Sequence, residues 1–83
     1  MNLLPLRSDL SRYLHGHHLK SKWLKLTHLF EQNMRHPSLH TELLEPRWRG
    51  IYSFRIDKQY RALFFINADG LAEVFTITNH YKK

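Results

Sequence analysis

Residues 50–78 read GIYSFRIDKQYRALFFINADGLAEVFTIT, and the spacing of apolar side chains along this run decides the fold. Tyr52, Phe54 and Ile56 alternate with Ile51, Ser53 and Arg55, the period of two that gives a strand one apolar face. Asp57-Lys58-Gln59 is a tight connection, after which YRALFFI resumes as a second strand. Ala68-Asp69-Gly70 reads as a turn, because glycine accepts the positive φ that hairpin loops require. LAEVFTIT is then the third strand of an antiparallel meander.

Upstream the period changes. Leu19, Trp23, Leu26 and Phe30 recur at spacings of four, three and four, with Leu29 alongside, and predict an amphipathic helix of about four turns that ends before Pro37. Before it, SDLSRYL places Leu10 and Leu14 on one helical face, with Ser8 as its N-cap and Gly16 as the interruption. Leu3, Leu4 and Leu6 around Pro5 suit either an edge strand or a lead-in to that helix. Residues 8–35 are thus expected to be mostly helical and 50–78 to form three strands. The expected fold is α+β, a single domain over 1–83 in the order (β)ααβββ, with an N-terminal helical hairpin packed on a small antiparallel β-sheet.

The chain has 83 residues, so its core is small: a domain of this size buries roughly 60 to 65% of the surface its unfolded chain exposes. Two Trp, four Tyr and five Phe raise the apolar area buried per residue. There is no cysteine, which removes disulfides and thiolate metal sites from consideration and fits a reducing cytoplasm. Thirteen Lys and Arg against seven Asp and Glu give a net charge of +6, a balance that attracts polyanions. No apolar run approaches the roughly 20 residues that span a bilayer, and MNLLPLR lacks the parts of an export signal. A cytoplasmic protein with no membrane association is expected.

Arg55 and Arg61 flank the first strand-to-strand turn, which puts both near the mouth of the hairpin, exposed and within reach of one phosphate. Guanidinium forks suit phosphate oxygens and keep their charge at neutral pH. On this reading the strand itself does not depend on the charge of Arg61. His80 follows the last strand and can donate or accept a proton near neutral pH, while Tyr81 offers a hydroxyl and a stacking ring. Taken singly, these residues read first as a solvated strand and a frayed tail, and only their combination points further.

The connection RHPSLHTELLEPRWRG adds Arg35, His36, His40, Arg47 and Arg49. Trp48 stands between two arginines, as either a stacking platform for single-stranded nucleic acid or a plug beneath a loop. Lys58, Lys82 and Lys83 extend the cationic set. His15, His17 and His18 sit in HGHH without helical spacing or a carboxylate partner and read as loop residues, not metal ligands. No phosphate-binding glycine loop, nucleophile elbow or HExxH helix is present.

Together, HPSLHTELLEPRWRGIYSFRIDKQYRALFFI, the helical hairpin before it and the terminal His-Tyr pair resemble the RelE/ParE superfamily of bacterial type II toxins over roughly residues 7 to 81. The closest likeness is to the branch that cleaves messenger RNA on the ribosome and ends in His-Tyr. The resemblance implies an active site at Arg55, Arg61, His80 and Tyr81, a cognate antitoxin, and the ribosome with its mRNA as partners. That branch carries a catalytic glutamate near the position of Pro37, so the second proton carrier falls to His40 or Glu42. The implied reaction is attack of a ribose 2′-hydroxyl on the adjacent phosphorus; it needs no metal or cofactor, since the nucleophile belongs to the substrate. The ParE branch inhibits DNA gyrase without chemistry, and a member that only binds RNA or antitoxin is a third possibility.

Overall fold

The computed structural model describes residues 1–79; His80, Tyr81, Lys82 and Lys83 lie outside the described residues. Two helices, α1 (Ser8–Gly16) and α2 (Lys20–Gln32), precede four strands, β1 (Glu42–Leu43), β2 (Tyr52–Arg55), β3 (Arg61–Ile66) and β4 (Ala72–Thr78). The fold is α+β, and the strands form one antiparallel sheet in the order β1-β2-β3-β4. The three long strands fall where the period-two pattern puts them. The short β1 was hidden in the connection, because two residues are too few to display a period.

The expected helical face is the buried one. Leu10, Leu14, Leu19, Trp23, Leu26 and Phe30 all lie in the core, and Leu29 packs at its edge. Trp23 stacks on Phe54 at 5.5 Å, and Phe30 meets Phe54 at 5.3 Å and Phe64 edge-on at 5.2 Å. These rings join the helices to the inner face of the sheet, and aromatic pairs in such geometries each contribute about 0.5–1.5 kcal/mol beyond their burial.

Two terminal details differ from expectation. Ser8 is the first helical residue and not the cap: Arg7 occupies the cap position and makes no side-chain capping bond. The first turn is instead favoured by Asp9, whose carboxylate sits near the positive end of the helix dipole and pairs with Arg7 at 3.0 Å. The N-terminal segment resolves as an edge addition: Leu3 bridges Ala72 in parallel, with Leu4 N–H donating to the Ala72 carbonyl and Ala72 N–H to that of Asn2, both at 2.9 Å.

Both long-strand turns rest on an Asx residue. Asp57 accepts from the backbone N–H of Gln59 at 2.8 Å and of Tyr60 at 2.9 Å, and Asn67 accepts from Asp69 at 2.9 Å and Leu71 at 3.1 Å. Gly70 takes the positive φ, 78°, that the second turn requires.

Candidate functional site

With the helices on the inner face, strand alternation sends Ser53, Arg55, Arg61 and Leu63 to the outer face. The register places Arg55 directly opposite Arg61, Ser53 opposite Leu63, Glu42 opposite Ser53 and Thr78 opposite Arg61. One end of the outer face therefore gathers Glu42, Ser53, Arg55, Arg61 and Thr78 from all four strands. Opposed residues on antiparallel strands have Cα atoms about 4.5–5.5 Å apart, and two like charges so placed destabilise a sheet unless an anion or acceptor lies between them.

Arg61 departs from its expected exposure. It is 5% exposed, and its guanidinium runs diagonally across β2: Nε donates to Ser53 Oγ at 3.0 Å, while Nη2 donates to the His40 carbonyl at 2.6 Å and more weakly to the Ser53 carbonyl at 3.4 Å. The side chain thus ties β3 to β2 and to the segment preceding β1. A buried guanidinium needs such acceptors because its desolvation is costly. The expectation that Arg61 is dispensable to the strand is therefore corrected. Arg55, opposite it, is half-buried, and its side chain makes no hydrogen bond or ion pair with any described residue.

His40 follows the short turn of Pro37–Leu39 and adopts the left-handed conformation, φ 47°, which aims its carbonyl at Arg61 while the residue stays exposed. Its contribution to the cluster is thus a backbone oxygen. Glu42, half-buried, shares the outer face with Ser53 by register. His36 is occupied as the cap of the same turn, its Nδ1 accepting from Ser38 N–H at 3.1 Å. His80 and Tyr81 lie outside the described residues, as do Lys82 and Lys83.

At the far end of the outer face, Arg47–Arg49 form a short helical turn closed by Gly50 at φ 67°. Trp48 is 85% exposed, so of the two sequence readings the plug is excluded and the displayed ring stands. Arg47 pairs loosely with Glu45 at 3.3 Å, both exposed, while Arg49 lines an apolar groove with Leu44, Ile51, Leu63 and Phe75. Lys58 is exposed in the β2–β3 turn, close in sequence to Asp57. Burial would raise the Asp57 carboxyl, but the two turn amides and Lys22, at 3.2 Å, together hold it below its ordinary value.

Of the HGHH stretch, His15 and Gly16 close α1 and only His17 and His18 lie in the interhelical turn, which is organised around aromatic packing. His17 stacks on Tyr13 at 4.0 Å, donates from Nδ1 to the Tyr13 carbonyl at 2.8 Å, and meets Tyr60 edge-on at 5.6 Å. Burial, and secondarily Tyr60, raises the Tyr13 phenol. Among the described residues no three His, Asp or Glu side chains are grouped to hold a metal ion. No helix among them is long and apolar enough to cross a membrane.

Ser53 is the residue that sequence reasoning missed. Its signal was a polar side chain two positions before Arg55 on the same strand face, but only the register and the diagonal reach of Arg61 give it a role. No known protein-family model matches this chain, and no curated protein matches it.

Proposed function

We propose that this chain is a metal-independent endoribonuclease of the RelE/ParE type, the toxin of a toxin–antitoxin pair that cuts mRNA on the ribosome in the cytoplasm. The observation that carries the reading is the directly opposed Arg55–Arg61 pair at one end of the outer face, beside Glu42. Opposed cations at a sheet end suit an anionic group, and a surface of net charge +6 draws polyanions such as RNA.

In the proposed reaction the 2′-oxygen forms a bond to the adjacent phosphorus as the bond from phosphorus to the 5′-oxygen breaks. The products are a 2′,3′-cyclic phosphate and a 5′-hydroxyl. Glu42 takes the 2′-hydroxyl proton; its place on the outer face favours it over His40, which turns its carbonyl to the site. His80 protonates the departing 5′-oxygen and Tyr81 stacks a base. Arg55 contacts the phosphate, a kind of contact that contributes about 3–4 kcal/mol to transition-state stabilisation, and Arg61, fixed by Ser53 and the His40 carbonyl, adds a preorganised positive field.

A second reading, a toxin-like protein that binds gyrase, RNA or an antitoxin without chemistry, is favoured by the burial of Arg61, since a guanidinium with three backbone and hydroxyl bonds also satisfies a structural role. Incubating the protein with ribosomes on a defined message, beside a gyrase supercoiling assay, separates the two. Cleavage with cyclic-phosphate ends supports the nuclease. Intact message with blocked supercoiling moves the binding reading ahead.

A further inference from the structure

The exposed Trp48 has no part in the reaction just described, and it stands between two exposed arginines on one short turn. We propose that the Arg47–Trp48–Arg49 turn is a base-stacking subsite for single-stranded RNA, set on the same face of the sheet as the Arg55–Arg61 pair and gripping the strand a few nucleotides from it. This deepens the nuclease reading and takes from it the position of the reacting phosphate.

Three features support the assignment. First, the platform is rigid. Arg49 N–H donates to the Pro46 carbonyl at 3.1 Å, Gly50 N–H to that of Arg47 at 3.0 Å, and Leu44 N–H to that of Ile51 at 2.8 Å, so the loop is closed at its base and at its tip. A backbone already held in place presents its side chains without first having to be ordered itself.

Second, the ring is flanked by cations. An indole between Arg47 and Arg49 offers a stacking surface with phosphate contacts on either side, the combination that single-stranded nucleic acid uses. Among the described residues the Arg47 guanidinium pairs with Glu45 alone, both exposed, and a phosphate can displace that pair at little cost.

Third, the turn opens onto the outer face. Arg49 borders the groove whose floor includes Ile51 and Leu63, and along the same face of those strands lie Arg55 and Arg61. From Ile51 to Arg55 is roughly 13 Å at strand rise, the length of about four stacked nucleotides. A strand that stacks on Trp48 and follows this groove is carried toward Arg55. An acidic protein segment would also meet the two arginines, but it gains nothing specific from the planar ring between them.

The test uses the whole protein and an adenosine decamer. Trp23 is buried at 8% exposure, so acrylamide-accessible fluorescence reports Trp48. The decamer should quench that emission and shield it from acrylamide, whereas a duplex of the same length should not. Trp48→Ala should weaken decamer binding about 5- to 150-fold, with Trp48→Phe retaining most of it. Each of Arg47→Ala and Arg49→Ala should flatten the dependence of log affinity on log salt by about 0.7.

Unchanged decamer binding by Trp48→Ala, binding that leaves acrylamide access to Trp48 unaltered, or equal protection by polyglutamate would overturn the subsite. Its fate separates from that of the nuclease reading. Trp48-dependent binding by a protein that never cuts a ribosome-bound message keeps the subsite and removes the nuclease. Cutting with no dependence of binding on Trp48 does the reverse.

Discussion

Replacing Arg61 by alanine should cost a substantial part of the fold's stability, because this side chain is a structural bolt before it is anything else. It gives one short charge-assisted bond to the His40 carbonyl at 2.6 Å and one to Ser53 Oγ at 3.0 Å. Bonds of this kind contribute about 1.5–3 kcal/mol each, or roughly 3–6 kcal/mol for the two. Releasing the guanidinium from burial at 5% exposure recovers part of that, leaving a net loss of about 2–4 kcal/mol. The whole domain has about 4–12 kcal/mol, from 83 residues at the usual stability per residue. The midpoint of thermal unfolding should accordingly fall by about 8–30 °C. Urea denaturation followed by circular dichroism measures the loss, and an unchanged slope with a lower midpoint identifies it as stability. Ser53→Ala should cost about 1 kcal/mol, and less than that when Arg61 is already alanine, since the two share a bond. An Arg61→Ala protein within about 0.5 kcal/mol of wild type would refute the reasoning.

Phe54→Ala removes a ring that is fully buried against Trp23, Phe30 and Phe64 and should cost about 3–5 kcal/mol, read by the same denaturation. Asp57→Ala should cost about 1–2 kcal/mol at pH 7, through the two turn amides it leaves without their acceptor. Because the folded Asp57 carboxyl lies below its ordinary value, its stabilising charge is fully present above about pH 4 and is lost as pH falls through the folded value. The gap between wild type and Asp57→Ala should narrow over that acid range, and a gap that widened there would contradict the assignment.

How much the sequence disclosed depends on what each residue touches. The apolar stripe from Leu19 to Phe30 and the alternation from Tyr52 to Ile56 are local periodicities, and both elements formed where those patterns lie. The turn at Gly70 was equally legible, because only a residue tolerant of positive φ fits there. The fate of Arg61 was not. Its burial depends on Ser53, eight positions away, and on the His40 carbonyl, twenty-one away, and no one-dimensional pattern joins the three. Strand β1 escaped for a related reason: Glu42 and Leu43 are strand residues only because β2 offers them an edge. Trp48 could not be placed from its neighbours alone, since arginines flank exposed and buried rings alike; its exposure is set by the closed loop from Leu44 to Ile51.

Arg55 is the residue on which the nuclease proposal can be tested without disturbing the fold. It stands opposite Arg61, but its side chain makes no hydrogen bond with any described residue, so Arg55→Ala should keep its stability within about 0.5 kcal/mol of wild type. Cleavage of a defined message on purified ribosomes, followed at matched folding, is the decisive measurement. The proposed phosphate contact predicts a fall of about 100-fold or more for Arg55→Ala, with the remaining products still ending in 2′,3′-cyclic phosphate, and a similar fall for His80→Gln, which cannot shuttle a proton. Equal cleavage by wild type, Arg55→Ala and His80→Gln would contradict the proposal and remove this end of the sheet from the chemistry.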